Sequence, residues 1–188
     1  MARRVDETRE RLLLCAEREF SRGGYHGTAL RTILAAAGLS KGGFYHHFRS
    51  KESLFVEVLR RLLQSGIEEP AGSGTTEERM REFFLAPLRR NPDYLALVFD
   101  GVKSSEEVAE RVGALFRDHI GGLVELLEAG KQSGEVREHI DSLFWAFQIV
   151  SLLEGAFLCT VLTGGTSLSD YLPRMFEALW RNLRRLDI

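Results

Sequence analysis

The stretch LSKGGFYHHFRSKESLF, residues 39–55, places two glycines, a tyrosine and adjacent histidines between Ser40-Lys41 and Ser50-Lys51-Glu52. It is too polar for a core helix and too regular for a loop. Just upstream, ALRTILAAA (29–37) has a helical pattern and stops at Gly38, with Thr28 in the capping position before it. A short helix, a tight glycine turn and a second helix opened by Ser40 make a helix-turn-helix. In such a unit the N-terminal residues of the second helix face base edges in the major groove. Gly42 and Gly43 cost about 1 kcal/mol each in helix propensity relative to Ala. Close approach of the backbone to a groove floor would offset that cost. Phe44 and Phe48 share one face and pack inward. Tyr45, His46 and His47 project elsewhere, where a phenol and an imidazole can donate to phosphate oxygens.

The charge distribution agrees. Residues 1–52 hold ten Lys/Arg against six Asp/Glu, whereas residues 53–188 hold fifteen against twenty-one. The net charge of −2 therefore hides a basic head on an acidic body, and only the head suits a polyanion. Chance scatter would account for the same difference taken alone. Metal binding by His46 and His47 is disfavoured, because adjacent helical positions diverge by about 100° and cannot share one ion. Lys51 is either a solvated helix start or a phosphate contact supported by the helix N-terminus. Arg31 is either a surface arginine or a groove contact.

Outward from this centre, the apolar residues recur at helical spacing and nowhere alternate as in a strand. About nine helices are predicted. DETRERLLLCAEREFSRGG buries Leu12, Leu13, Ala16 and Phe20 and ends at Gly23-Gly24. Ser50 opens a helix running to about Ile67. EEPAGSG (68–74) is a linker by composition. Thr75 and Glu78 form a capping box for a helix bearing Met80, Phe83, Phe84 and Leu88, which Pro87 ends or kinks. Asn91-Pro92 opens PDYLALVFDGV. Ser104 and Glu107 form a second capping box, before a stripe of Val108, Val112, Leu115, Phe116, His119, Leu123, Leu126 and Leu127.

Residues 142–162, SLFWAFQIVSLLEGAFLCTVL, are apolar nearly all round and long enough to cross a bilayer. Gln148, Ser151 and Glu154 within the segment argue for a soluble helix that must be covered on every side. The last stripe comprises Leu168, Leu172, Met175, Phe176, Leu179, Leu183 and Leu186. Together the two segments are expected to form a homodimer seam. Cys15 and Cys159 lie in apolar segments and read as reduced, buried thiols of a cytoplasmic protein. No signal peptide is evident.

The order Gly24, Thr28, Ile33, Ala37-Gly38, Ser40, Lys41-Gly42, Tyr45, His47-Phe48, Lys51 and Leu54 resembles the DNA-binding head of the tetracycline-repressor (TetR) family over roughly residues 8–60. The resemblance implies an all-α fold: a three-helix helix-turn-helix domain at 1–50, then a linking helix with a ligand-binding and dimerisation domain at 51–188. It assigns Thr28, Tyr45, His47 and Lys51 to phosphates, and Lys41, Gly42, Gly43 and His46 to bases. Arg31 faces the same groove, and Ser40 caps the reading helix. Leu34 stands where the family usually has Ala, Phe44 where Leu or Ile is usual, and Gly43 where Thr or Ala is commoner.

The implied protein is a cytoplasmic dimeric repressor of a palindromic double-stranded DNA operator, released by a hydrophobic or aromatic small molecule. The helix from Lys51 would act as the lever between ligand and head. Candidate ligand contacts are Phe84, Phe99, Phe116, His119, Trp145 and Gln148, although aromatic stripes usually fill cores and His119 suits a satisfied core histidine better than a ligand contact. An activator, or a DNA-binding protein of this fold without a ligand, is the alternative. No catalytic constellation, cofactor motif or metal motif is present, and an enzyme is not expected.

Overall fold

The computed structural model describes residues 2–64, 74–89, 94–163 and 168–185. Among them are nine α-helices: α1 (Ala2–Gly27), α2 (Leu30–Ala37), α3 (Lys41–Tyr45), α4 (Lys51–Gln64), α5 (Thr76–Leu85), α6 (Tyr94–Ser104), α7 (Glu106–Ser133), α8 (Ser142–Thr163) and α9 (Leu168–Leu183). A 3-10 turn, Ala86–Arg89, follows α5. The described residues contain no strand beyond an isolated bridge between Val136 and Arg184. The predicted all-α class is the observed one.

The chain forms two compact units, one of Met1–Leu62 with Asp93–Ala114 and one of Leu63–Pro92 with Leu115–Ile188. The expected boundary after residue 50 falls inside the first unit, which also takes in α6 and the start of α7.

In the first unit the apolar faces of α1, α2 and α4 close over Leu12, Ala16, Phe20, Ile33, Phe44, Leu54 and Phe55, all at most 2% exposed. Rings order this core: Phe20 meets Phe55 edge-on at 4.8 Å, and Tyr25 lies 4.8 Å from Phe55. Gly101 of α6 is placed tightly here, since a Cβ on it would lie 2.7 Å from the Phe55 ring. Ion pairs of α1 with α4 edge the core, with Arg9 on Glu57 at 2.5 Å and Arg61 on Glu10.

In the second unit, Met80, Phe84, Leu127, Ile149, Phe176 and Leu183 form a core with no exposure. Phe176 stacks on Trp180, and Arg81 lies over Phe176 while pairing with Glu177 at 2.7 Å. The capping box of Thr75 and Glu78 is present, and α5 ends at Leu85, before Pro87.

Several expectations change. Thr28 does not cap α2; Ala29 occupies that position and makes no side-chain cap. The cap of α7 is Ser105, whose hydroxyl accepts the Val108 N–H, while Ser104 donates to Gly101 O. The α9 stripe is not exposed for a partner: Leu172, Phe176, Leu179 and Leu183 are buried within their own unit. Cys159 is exposed and Cys15 half-buried. The linker at 68–74 lies almost wholly outside the described residues, as do Asn91-Pro92, the end of the fourth helix near Ile67, and Leu186.

Candidate nucleic-acid interface

The helix-turn-helix is built by three local devices. α2 ends at Gly38, which adopts the left-handed conformation at φ 62° that its lack of a Cβ permits, and its N–H returns to α2 carbonyls. Ser40 then caps α3, its hydroxyl accepting the Gly43 N–H at 3.1 Å. Finally, Phe44 is fully buried and stacks with Phe48 at 6.1 Å, so the inner face of α3 is fixed. The outer face is left to Lys41, Gly42, Tyr45 and His46, all exposed, with Gly43 and His47 half-buried. Arg31 and Arg49 are exposed near these residues in sequence.

The glycines of α3 are not required by packing within the chain. A Cβ at Gly42 or Gly43 would meet its neighbours no closer than 3.5 Å, which is ordinary contact. Helix propensity is therefore given up where the protein itself has room for a side chain.

Thr28 and Lys51 are placed differently from the expected phosphate contacts. Thr28 is 4% exposed, and its hydroxyl donates to Glu19 O at 2.9 Å. The Lys51 ammonium donates to Tyr25 O at 2.7 Å and Thr28 O at 3.0 Å, and lies 4.1 Å from the centre of the Tyr25 ring. Burial lowers its pKa, against the opposing pull of Glu52 and Asp100. These two side chains brace the turn between α1 and α2.

The expected ligand contacts are divided between the two units. Phe99 is 54% exposed and belongs to the first unit, whereas Gln148 is exposed on α8. Phe84 is completely buried in the second core. Phe116, His119 and Trp145 are half-buried in that unit, with the His119 ring 4.9 Å from Phe83. Among the described residues no cluster of His, Cys, Asp and Glu could hold a metal ion.

The profile for bacterial regulatory proteins of the tetR family matches residues 12–58, the segment that carries this geometry. This segment belongs to the TetR family of bacterial regulatory proteins. Similar proteins include the HTH-type transcriptional repressor NicS of Pseudomonas putida KT2440, 25% identical over 98% of this chain and 96% of NicS. The HTH-type transcriptional regulator RutR of Escherichia coli K12 is 40% identical over 62 residues, 33% of this chain and 29% of RutR. Among solved structures, full-length TylP, a TetR regulator from Streptomyces fradiae, superposes with a TM-score of 0.80 at 26% identity. That match covers 97% of this chain and 89% of TylP.

Against this TetR-family head, sequence reasoning missed the bracing network. The Tyr25 hydroxyl donates to Glu52 at 2.7 Å, and this bond holds the Glu52 carboxyl below the usual range. Burial, followed by the Glu52 bond, pushes the Tyr25 phenol well up. The position of Tyr25 directly after Gly23-Gly24 was the available signal. Nothing in the local sequence marks Asp100, whose carboxylate accepts the Tyr25 N–H.

Proposed function

We propose that this TetR-family regulator is a non-enzymatic, cytoplasmic, homodimeric repressor of an operator with two-fold symmetry, released by an apolar or aromatic small molecule. The observation that carries the reading is the outer face of α3, which exposes Lys41, Gly42, Tyr45 and His46 above a buried Phe44. Lys41, Gly42, Gly43 and His46 read bases. Tyr45 and His47 hold phosphates, and Arg31 faces the same groove from α2. Thr28 and Lys51 serve by bracing the turn, with Ser40 fixing the start of α3.

Support for the dimer comes from α8. Leu143, Phe144, Phe147, Val161 and Leu162, near the two ends of α8, are each more than half exposed, an unusual concentration of large apolar side chains on one helix. By length and composition α8 could also cross a membrane. Its exposed Gln148 and Ser151, together with Glu154, favour the surface of a second copy. Named as repressors, relatives such as NicS support repression rather than activation. Phe116, His119 and Trp145 are the effector contacts retained in this reading.

Titration of labelled DNA with the purified protein tests the core of the proposal. Lys41→Ala and His46→Ala should relax base preference, and Tyr45→Phe should weaken all sequences alike. Equal affinity of wild type for every sequence, unchanged by these substitutions, would contradict it. For the effector, ligand and operator must oppose each other by the same factor. Equal ligand affinity with and without saturating operator would remove release from the account.

A further inference from the structure

The turn that delivers α2 and α3 begins at a break in α1. Gly24 has φ 68° and ψ 178°, a conformation open to glycine alone in practice. The break deprives the Tyr25 N–H of its place in the helical ladder, and such a half-buried donor needs a partner. Asp100 of α6 supplies it through its carboxylate. Gly24 is required twice, because a Cβ there would also lie 2.8 Å from Asp100 Oδ2.

The other polar groups of Tyr25 are held from α4. Its carbonyl accepts from Lys51, and its hydroxyl donates to Glu52. Lys51 extends the brace to the Thr28 carbonyl, two residues before α2 starts. Tyr25 is thus the point where α1, α4 and α6 meet, and α6 contributes to it through one carboxylate. That carboxylate is reachable: a cavity of about 310 Å³ opens beside it, lined by residues including His26, Gly27, Ala96 and Leu97.

We propose that Asp100 is a positioning residue for DNA binding: by holding the Tyr25 N–H at the break in α1, it fixes the turn that presents α2 and α3. Asp100 touches no DNA in this arrangement and acts through Tyr25 and Thr28. This role rests on the DNA-binding reading above. A charged acceptor on a backbone N–H is among the stronger hydrogen bonds, so its loss should be felt at the turn while the apolar core of the head persists.

The test compares full-length wild type, Asp100→Ala and Asp100→Asn by amide hydrogen exchange and by affinity for the DNA fragment that wild type retains best from a random pool. Asp100→Ala should speed exchange at Tyr25 through Thr28 while leaving α4 protected, and should lower affinity roughly tenfold. Asp100→Asn keeps an acceptor of the same shape and should recover most of both. Three results would each overturn the role: unchanged exchange at the turn in Asp100→Ala, faster exchange there at unchanged affinity, or exchange rising evenly over the whole head. If wild type retains no fragment, the regulator reading itself fails and this role with it. The exchange data would still report whether the clasp holds the turn.

Discussion

In the head, Phe20, Phe44 and Phe55 have no exposed surface, and what faces solvent on α3 is polar or backbone. On α8, Phe144 and Phe147 are 53% and 59% exposed, and Leu162 is 75% exposed. The two surfaces call for different partners. An outward face of lysine, histidine, tyrosine and bare glycine suits a phosphate backbone with bases behind it. An outward face of leucine and phenylalanine is satisfied only by another apolar face.

The sharpest way to break this contrast is to place a charge on each side of the body's apolar inventory. Leu183→Lys puts an ammonium into a site with no exposure and should cost more than about 4 kcal/mol, leaving insoluble or unfolded protein. Phe147→Glu, on the exposed face, should leave circular dichroism intact and yield monomers in sedimentation velocity. Unfolding by both, or by neither, would erase the distinction between core and seam.

In the head, Lys51→Ala removes two charge-assisted hydrogen bonds from the α1–α2 turn. A loss of about 2 kcal/mol in denaturant unfolding is expected, along with weaker DNA binding that follows from a loosened turn. Undiminished stability with a salt slope flatter by about one unit would instead return Lys51 to a direct phosphate contact. Tyr45→Phe removes a single exposed donor. It should cost about 1 kcal/mol of DNA affinity on every sequence, with no change in thermal midpoint.

The smallest effect is that of acid on the head. Tyr25 depresses the Glu52 carboxyl, while Arg60, with Arg9, depresses that of Glu57. Their folded pKa values lie below the ordinary 4.5. The stability they contribute is therefore fully present above that value and is lost as pH falls through the depressed ones. Denaturant midpoints of Glu52→Gln should fall less steeply than wild type below pH 4.5; parallel slopes would remove this contribution.

The head was legible because its devices are local. Gly38, Ser40, the Ser50 cap and the Phe44/Phe48 spacing each act within a few residues, and each stands where the sequence indicated. Helix periodicity likewise gave the all-α class and the extent of α8. What the sequence could not show was long-range pairing. Lys51 looks like a surface lysine until Tyr25, 26 residues away, is folded beneath it. Asp100 has no local signature because its partner lies 75 residues distant. In the body, an apolar stripe reads alike whether it meets its own core, a ligand or a second copy. That ambiguity put the buried Leu179 and Leu183 in the expected seam and the exposed Gln148 among the expected ligand contacts.

Whether a two-fold pair of α3 helices reads DNA is tested by sequencing the fragments that purified wild-type protein retains from a random double-stranded pool. An enriched inverted repeat is expected, its half-sites about one helical turn (34–36 Å) apart centre to centre or a multiple of it. Enrichment of a lone half-site, or no enrichment over the starting pool at physiological salt, would contradict that reading.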